Sequence, residues 1–164
     1  MLPEALSAQP LLAALAARHP AAITGGSLER GEATLEIASG ELVAVCRFLK
    51  QEQQFDRISA VTAVDRYPGD PRFEVVYHLH SIPRNERLRL KCRVGLGDDG
   101  GEVDSVTEVW AGANWYEREV YDLFGVRFRN HPDPTRIVMP DDWTGHPLRK
   151  DYPVHGHKYS YQSE

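Results

Sequence analysis

Residues 73–94 read FEVVYHLHSIPRNERLRLKCRV, and this stretch decides the fold. On either side of Pro83-Arg84-Asn85, apolar residues alternate with polar ones, which is the pattern of a β-strand with one buried face. The tripeptide between the two runs is typical of a turn. The stretch therefore predicts a β-hairpin within a sheet that is covered on one side.

Further elements are predicted on both sides of the hairpin. Helical periodicity indicates helices over residues 10–18, 41–51 and 114–124, and alternating or β-branched composition indicates strands over residues 33–38, 58–64 and 103–109. Gly25-Gly26 is predicted as a turn and residues 97–101 as a polar loop. This order predicts an α+β fold, a two-layer domain with a mostly antiparallel sheet and helices on one face.

The last helix leads into a proline-rich segment. Its predicted apolar stripe is Tyr116, Val120, Leu123 and Phe124, and Gly125 is predicted to end it. Five of the eleven prolines lie in residues 132–153, so this region is predicted to form neither a helix nor a central strand. Residues 1–125 are therefore expected to form the α+β domain, and residues 126–164 an extended C-terminal arm. Disorder is disfavoured by its apolar residues, so the arm is predicted to dock a partner: Ile137, Val138, Met139, Trp143, Leu148 and Tyr152.

Composition excludes several classes of protein. The 164 residues are 41% hydrophobic and carry a net charge of −5, which is ordinary for one globular domain and gives no support to nucleic-acid binding. No apolar run approaches the roughly 20 residues that cross a bilayer. The apolar run of residues 11–17 has no preceding Lys or Arg, so a signal peptide is not predicted, and the expected location is the bacterial cytoplasm.

The two cysteines are predicted to be core residues. Cys46 shares a helical stripe with Leu42 and Leu49, and Cys92 shares a strand face with Leu90. Free cysteine packs as a small hydrophobe. Two cysteines also cannot supply the four thiolates that an iron–sulfur cluster usually needs.

The second strand of the hairpin is basic on one face, where Arg87, Arg89, Lys91 and Arg93 alternate with apolar residues. A groove for nucleic acid would need aromatic residues between these cations, and there are none. The favoured interpretation is a strand that faces solvent or a partner and pairs with Glu74 on the neighbouring strand.

Histidine and acidic residues offer two further hypotheses. Pairs at His78/His80 and His155/His157, and the arm residues His131, Asp133, Asp141, Asp142 and His146, could hold zinc or iron, but no compact ligand motif is present. A small metal-dependent enzyme that uses His131, Asp133 and His146 therefore stays an alternative from a different class.

Acid–base catalysis is the second hypothesis, since Glu117, Glu119, Asp122 and His131 stand close in sequence. On a helix, Glu117 and Glu119 point about 200° apart and cannot act as a pair. Arg118 and Asp122 are predicted to pair along the helix. The favoured interpretation is an ion network that fixes the helix against the arm, and no catalytic residue is predicted.

One long block resembles a known family. Residues 115–153 resemble the "30 kDa" subunits of the proton-pumping NADH:quinone oxidoreductase, respiratory complex I. The resemblance is carried by Glu117-Arg118-Glu119, residues 121–125, His131-Pro132-Asp133, Arg136-Ile137, and residues 140–143 and 145–153. Similar subunits occur in energy-converting membrane hydrogenases and in plastoquinone-reducing complexes, which remain alternatives.

The resemblance implies a non-catalytic subunit of the peripheral arm of the complex. It implies that this chain binds no cofactor, while NADH, FMN, iron–sulfur clusters and quinone belong to the parent complex. It further implies a position beside the subunit that helps to form the quinone site, on the cytoplasmic side of the bacterial inner membrane, with membrane contact only through the complex. The signature and partner-interface residues it indicates are Glu117, Arg118, Glu119, Asp122, Gly125, His131, Pro132, Asp133, Arg136, Trp143, Gly145, His146, Pro147, Arg149, Lys150, Asp151 and Tyr152.

Overall fold

A five-stranded sheet forms the centre of the computed structural model, which describes residue 6 and residues 9–95 and 101–153. The strands stand in the order β1-β2-β5-β4-β3. Only β2 and β5 are parallel neighbours, so the mostly antiparallel sheet is confirmed. The strands are β1 (Ile23–Glu29), β2 (Glu32–Ile37), β3 (Arg57–Asp65), β4 (Phe73–Ser81) and β5 (Glu86–Val94).

The predicted hairpin is confirmed as the β4–β5 pair. Its register runs without a break from Phe73 opposite Val94 to Ser81 opposite Glu86. Tyr77 and Leu90 face each other at its middle, and both are fully buried. The alternation of the sequence therefore sets the register, because a slip of one residue would turn both side chains out of the core.

The helices are α1 (Pro10–Arg18), α2 (Leu42–Gln51) and α3 (Ala113–Phe124), with a 3₁₀ turn, Ser39–Glu41, before α2. Their buried residues join one core with the inward residues of the strands, so helices and sheet form two layers. Both cysteines lie in this core, as predicted. The α3 helix ends at Gly125, whose φ of 77° is the left-handed conformation that glycine adopts readily.

Two sequence predictions about strands are wrong. Gly25-Gly26 is not a turn but lies inside β1, where pairing with β2 holds it extended. The strand predicted over residues 103–109 ends early: β6 (Glu102–Asp104) is followed by turns that bring Ser105 and Val106 to α3. The loop predicted over residues 97–101 lies outside the described residues except for Gly101.

The chain after α3 first forms β7 (Arg127–Arg129), which pairs with β6 in parallel. Residues 130–153 then contain neither helix nor strand, as the prolines predicted. Where the domain ends and the arm begins stays a prediction. In the described ranges, no helix has the length and apolar character that spanning a membrane requires.

Candidate docking arm and its buried anchors

The buried face of α3 contains two carboxylates. Glu117 and Asp122 are both 0% exposed, beside Ala113 and Val120. The predicted apolar stripe is wrong in part, since three of its four members are only partly buried: Tyr116, Leu123 and Phe124. Buried carboxylates are tolerated only when other groups satisfy them, so the partners of these two explain what the helix holds.

Asp122 anchors the arm. Its Oδ2 accepts hydrogen bonds from the backbone N–H groups of residues 137, 138 and 139, at 3.0, 2.8 and 2.8 Å. Its Oδ1 accepts a hydrogen bond of 2.6 Å from Nη1 of Arg136. Burial alone would raise the pKa of Asp122, but these donors outweigh burial and lower it. Successive N–H groups that converge on one anion form a strong anion site, so the arm is wrapped around this carboxylate.

Arg118 is not paired with Asp122, and that prediction is wrong. Asp122 is occupied by Arg136, and Arg118 reaches across to the arm instead. The Arg118 guanidinium donates to the carbonyl oxygens of Thr135 and Arg136, at 3.0 Å each, and lies 3.1 Å from Oδ2 of Asp133. The predicted network between helix and arm is thus present, but it runs between segments and not along α3.

Glu117 holds the other side of the helix. Its Oε2 accepts a hydrogen bond of 2.6 Å from Ser105 Oγ, and its Oε1 accepts one of 2.8 Å from the N–H of Val106. Burial raises the pKa of Glu117 to about 7, and the two hydrogen bonds oppose that rise only in part. This carboxyl therefore changes its charge near neutral pH.

His131 lies beside Glu117 with 1% of its side chain exposed, and its Nε2 is 3.8 Å from Oε2 of Glu117. Its Nδ1 accepts the N–H of Asp133 at 3.0 Å, so the neutral ring carries its proton on Nε2. That nitrogen is 3.1 Å from the carbonyl oxygen of Asn114, to which it donates. The histidine thus ties the first turn of the arm to the start of α3.

Gly125 marks the tightest contact between helix and arm. A Cβ at this position would meet Nη2 of Arg149 and lie 2.6 Å from Cδ2 of the His146 ring. Arg149 donates from Nε to the carbonyl oxygen of Phe124 at 2.6 Å, and His146 Nδ1 is 2.8 Å from the carbonyl oxygen of Asp122. The last carbonyls of α3 are therefore capped by arm side chains.

The arm is fastened again at the start of β4. The guanidinium of Arg72 makes two hydrogen bonds to Asp65, at 3.0 and 2.8 Å, and two to Asp151, at 2.9 and 2.6 Å. The N–H of Lys150 donates to Oδ2 of Asp65 at 2.8 Å. Burial opposes ionisation of Asp65, but Arg72 and the backbone donors outweigh it and lower its pKa to about 2.

Apolar side chains remain exposed on this side of the molecule. Trp115 is 63% exposed, Val138 57% and Leu148 53%. The guanidinium of Arg118 lies over the Trp115 ring, at 5.4 Å from its centroid. These side chains stand on segments whose backbone is fixed by the anchors described above, so they form an ordered apolar edge.

The predicted signature residues divide into two groups. Twelve of them make hydrogen bonds, ion pairs or close contacts between segments of this chain: Glu117, Arg118, Asp122, Gly125, His131, Asp133, Arg136, Gly145, His146, Arg149, Lys150 and Asp151. Glu119 and Pro132 are exposed, and Trp143, Pro147 and Tyr152 are partly exposed. That any of these residues contacts a partner stays a prediction.

Sequence reasoning missed Asp65, Arg72 and Ser105. Asp65 and Arg72 lie at the two ends of the β3–β4 connection, and both are nearly fully buried. A charged residue at the end of an apolar strand was the available signal, but it does not reveal a partner 79 positions away in the chain.

No cluster of three or more His, Cys, Asp or Glu that could hold a metal is found among the described residues. His131 uses both ring nitrogens in hydrogen bonds to the backbone, and Nδ1 of His146 is engaged with Asp122. Burial raises the pKa of Cys46 and raises that of Cys92 to about 12, so neither thiol ionises near neutral pH.

Comparisons with known proteins agree with this architecture. The family described as respiratory-chain NADH dehydrogenase, 30 kDa subunit, matches residues 35–158. An NADH-quinone oxidoreductase subunit of Geobacter sulfurreducens is 57% identical over 77% of this chain and 78% of its own length. The subunit of the same name in Roseiflexus castenholzii is 43% identical over 92% of this chain and 86% of its own. The chain belongs to the family of 30 kDa subunits of respiratory-chain NADH dehydrogenase.

Solved structures extend the comparison. A trypsin-resistant fragment of Nqo5 superposes with a TM-score of 0.59 at 30% identity, covering 66% of this chain and 87% of the fragment. A chain of the archaeal membrane-bound sulfane sulfur reductase, a respiratory membrane complex, superposes with a TM-score of 0.74 at 25% identity, covering 88% of this chain and 84% of that one. The predicted class is confirmed: a peripheral-arm subunit of an NADH:quinone oxidoreductase, which works within a complex of many subunits.

Proposed function

We propose that this chain is a non-catalytic, cofactor-free subunit whose C-terminal arm, residues 126–164, docks the quinone-site subunit on the cytoplasmic side of the membrane. One observation carries the proposal: the described part of the arm lacks regular structure after β7, yet a buried carboxylate, Asp122, fixes it through four hydrogen bonds. NADH, FMN, the iron–sulfur clusters and quinone then belong to neighbouring subunits.

An arm that is ordered in advance is suited to docking. Ordering a flexible segment on binding costs roughly 0.5–1.5 kcal/mol for each immobilised side chain. Here Asp122 and Arg72 already order the backbone, and Val138 and Leu148 stay exposed on it. Exposed apolar side chains on a rigid frame are the usual anchors of an interface.

The polar groups of the arm support a structural role because they are occupied within the chain. Each carboxylate oxygen of Glu117 and of Asp122 accepts at least one hydrogen bond from this chain. A group that holds two segments together is not placed to exchange a proton with a substrate. The metal-dependent enzyme would require His131 and His146 to leave their present partners.

Binding to the purified quinone-site subunit tests the proposal. We expect Val138→Asp and Leu148→Asp each to weaken binding by about tenfold, because each buries a charge at the expected interface. Ile82→Asp is the matched control, since Ile82 is 58% exposed directly after β4, at the opposite end of the hairpin from the anchor at Arg72. Equal binding by all three variants would show that the quinone-site subunit is bound elsewhere.

A second candidate is the equivalent subunit of an energy-converting membrane complex. The observation in its favour is the superposition on the archaeal membrane-bound complex over 88% of this chain. Purification through a tag on this chain separates the candidates. Co-purification of NADH-oxidising subunits supports the first, and co-purification of a hydrogenase-type module without them supports the second.

A further inference from the structure

The helices leave one face of the sheet open. Strand register places a second set of side chains on this face, across all five strands. No described helix lies over it, because the helices join the core on the other side. The basic strand β5 runs through its centre.

Positive charge is concentrated on the open face, although the whole chain is acidic at −5. Six cations lie on it or reach over it, against four carboxylates. The cations are Arg57, Arg66, Arg87, Arg89, Lys91 and Arg93, and the carboxylates are Glu29, Glu32, Glu36 and Glu74.

At one end of the face, the charges are already satisfied. Glu74 lies 2.9 Å from Arg66, 3.2 Å from Lys91 and 3.6 Å from Arg93. These cations cover it so well that only 2% of its surface is exposed. Burial opposes the ionisation of Glu74, but Arg66 and Lys91 outweigh burial and lower its pKa. This end therefore has little charge left for a partner.

At the other end, cations lack full compensation. Arg57, His80 and Arg87 stand in register on three adjacent strands. The side chains of Arg57 and His80 make no hydrogen bond or ion pair within the described part of the chain. Arg87 is 74% exposed, and its partner, Glu32, is 3.9 Å away and also pairs with Arg89 at 2.9 Å. A groove of about 580 Å³ runs between these residues.

We propose that this groove binds an extended acidic segment of a neighbouring protein subunit, which crosses the strands and pairs its carboxylates with Arg57 and Arg87. The proposal rests on the proposed function only in that the chain works inside an assembled complex. Strands lie about 4.8 Å apart, so Arg57 and Arg87, two strands apart, are separated by roughly 10 Å across the sheet. An extended chain rises about 3.3 Å per residue, so two acidic residues three positions apart span that distance.

The chemistry of the groove selects this ligand. Its lining contains no Phe, Tyr or Trp, so it offers nothing on which a nucleic-acid base could stack. Glu32 lies among the arginines and would repel a dense polyphosphate. Two separated carboxylates can pair with Arg57 and Arg87 and stay clear of Glu32. Burial and nearby Arg89 lower the pKa of His78, so this histidine stays neutral and adds no further cation.

Photo-crosslinking in the assembled complex identifies the occupant. A benzophenone amino acid at Ser59, an exposed residue that lines the groove, should crosslink to another subunit. We expect the captured peptide to contain two acidic residues separated by two others. Crosslinks to lipid, to a peptide without such acids, or to nothing would overturn the proposal.

Charge reversal supplies the quantitative test. We expect Arg57→Glu with Arg87→Glu to lower incorporation into the complex by about tenfold at low salt, where charge pairs act most strongly. Arg18→Glu with Arg47→Glu makes the same change of charge on the helical side and should stay within about twofold of the wild type. Lysines in place of the crosslinked acids should restore the reversed variant. Equal incorporation of both double variants would overturn the proposal.

Two controls keep the result interpretable. If the reversed variant does not fold, as judged by circular dichroism, Arg57→Gln with Arg87→Gln takes its place, with a smaller loss expected. If the wild-type chain enters no complex, the proposed function fails. If the wild type assembles and the variants assemble equally well, only the acidic-segment proposal fails.

Discussion

The sheet and the arm are held by different physical forces. Tyr77, Leu90 and Phe55 are fully buried in the sheet and its helical cover, where removal of apolar surface from water provides the stability. The arm buries few large apolar side chains and is held by hydrogen bonds to charged groups, chiefly Asp122 and Arg72. Apolar burial is non-directional, whereas the arm contacts need fixed geometry. One part therefore tolerates small changes, and the other depends on single atoms.

The two buried carboxylates of α3 repeat this contrast on a smaller scale. Asp122 has four hydrogen bonds from the arm, one of them from Arg136, and its pKa is lowered. Glu117 has two, from Ser105 and Val106, and its pKa is raised to about 7. Both are 0% exposed, so the number and charge of the donors decide the direction.

The largest effect is expected at Asp122. Asp122→Asn should destabilise the protein by about 3–5 kcal/mol, because Arg136 loses its buried partner and an amide N–H₂ must face other donors. Urea unfolding measures the loss. Asp141→Asn, an exposed carboxylate in the same arm, is the control and should change stability by less than about 0.5 kcal/mol. Equal effects at the two sites would contradict the anchoring role.

Glu117 should make stability fall as pH rises towards and through 7. Its folded pKa of about 7 lies above the unfolded value of 4.5, so between them the folded state holds the extra proton. Glu117→Gln should remove this loss, which is on the order of 3 kcal/mol between pH 4.5 and 8. The measurement is urea unfolding against pH, with exposed Glu119→Gln as the control. An unchanged slope in Glu117→Gln would show that the carboxyl is already ionised in the fold.

Acid should act on the arm in the opposite direction. The pKa of Asp65 is lowered to about 2, and that of Asp122 is also lowered. Their contribution is therefore present above the unfolded pKa near 4 and is lost as pH falls below it. Unfolding curves from pH 5 to 2 should show the arm contacts failing first.

Gly125→Ala should cost about 2–3 kcal/mol, from left-handed strain and from contact with Arg149 and His146. Gly31→Ala separates these causes, because Gly31 has a φ of +80° but nothing within 4 Å of an added Cβ. The difference in unfolding free energy between the two variants reports the packing of the arm. No difference would mean that the arm shifts freely away from Gly125.

The smallest effect is expected in the sheet layer. Cys46→Ala and Cys92→Ala should each cost about 1 kcal/mol, the scale of a small core truncation. Turnover of the assembled complex should stay unchanged, since both thiols are buried and un-ionised. Lost turnover in a fully assembled complex would assign a cysteine a role beyond packing.

The contrast between sheet and arm also explains what the sequence could predict. The hairpin and the helices were predicted to within one or two residues, because alternation and helical stripes record apolar burial directly. Gly25-Gly26 was misassigned because pairing with β2 overrides local turn preference. The absence of helix and strand in residues 132–153 followed from proline alone.

The anchors of the arm could be predicted only in kind. An ion network between helix and arm was expected, but Arg118 was paired with the wrong carboxylate. Sequence spacing gives neighbours along a helix, whereas the partners of Asp122 are backbone N–H groups, which have no sequence signature. The Arg72–Asp151 contact is equally silent, because it joins residues far apart in the chain.

The central claim is that the arm is ordered on α3 before any partner arrives, and amide hydrogen exchange on the isolated chain tests it most directly. The N–H groups of Ile137, Val138 and Met139 should be protected in the wild type and lose protection in Asp122→Asn. Sheet amides at Val75 and Tyr77 should stay protected in both. Fast exchange at residues 137–139 in the isolated wild-type chain would contradict the account, since the arm would then become ordered only on its partner.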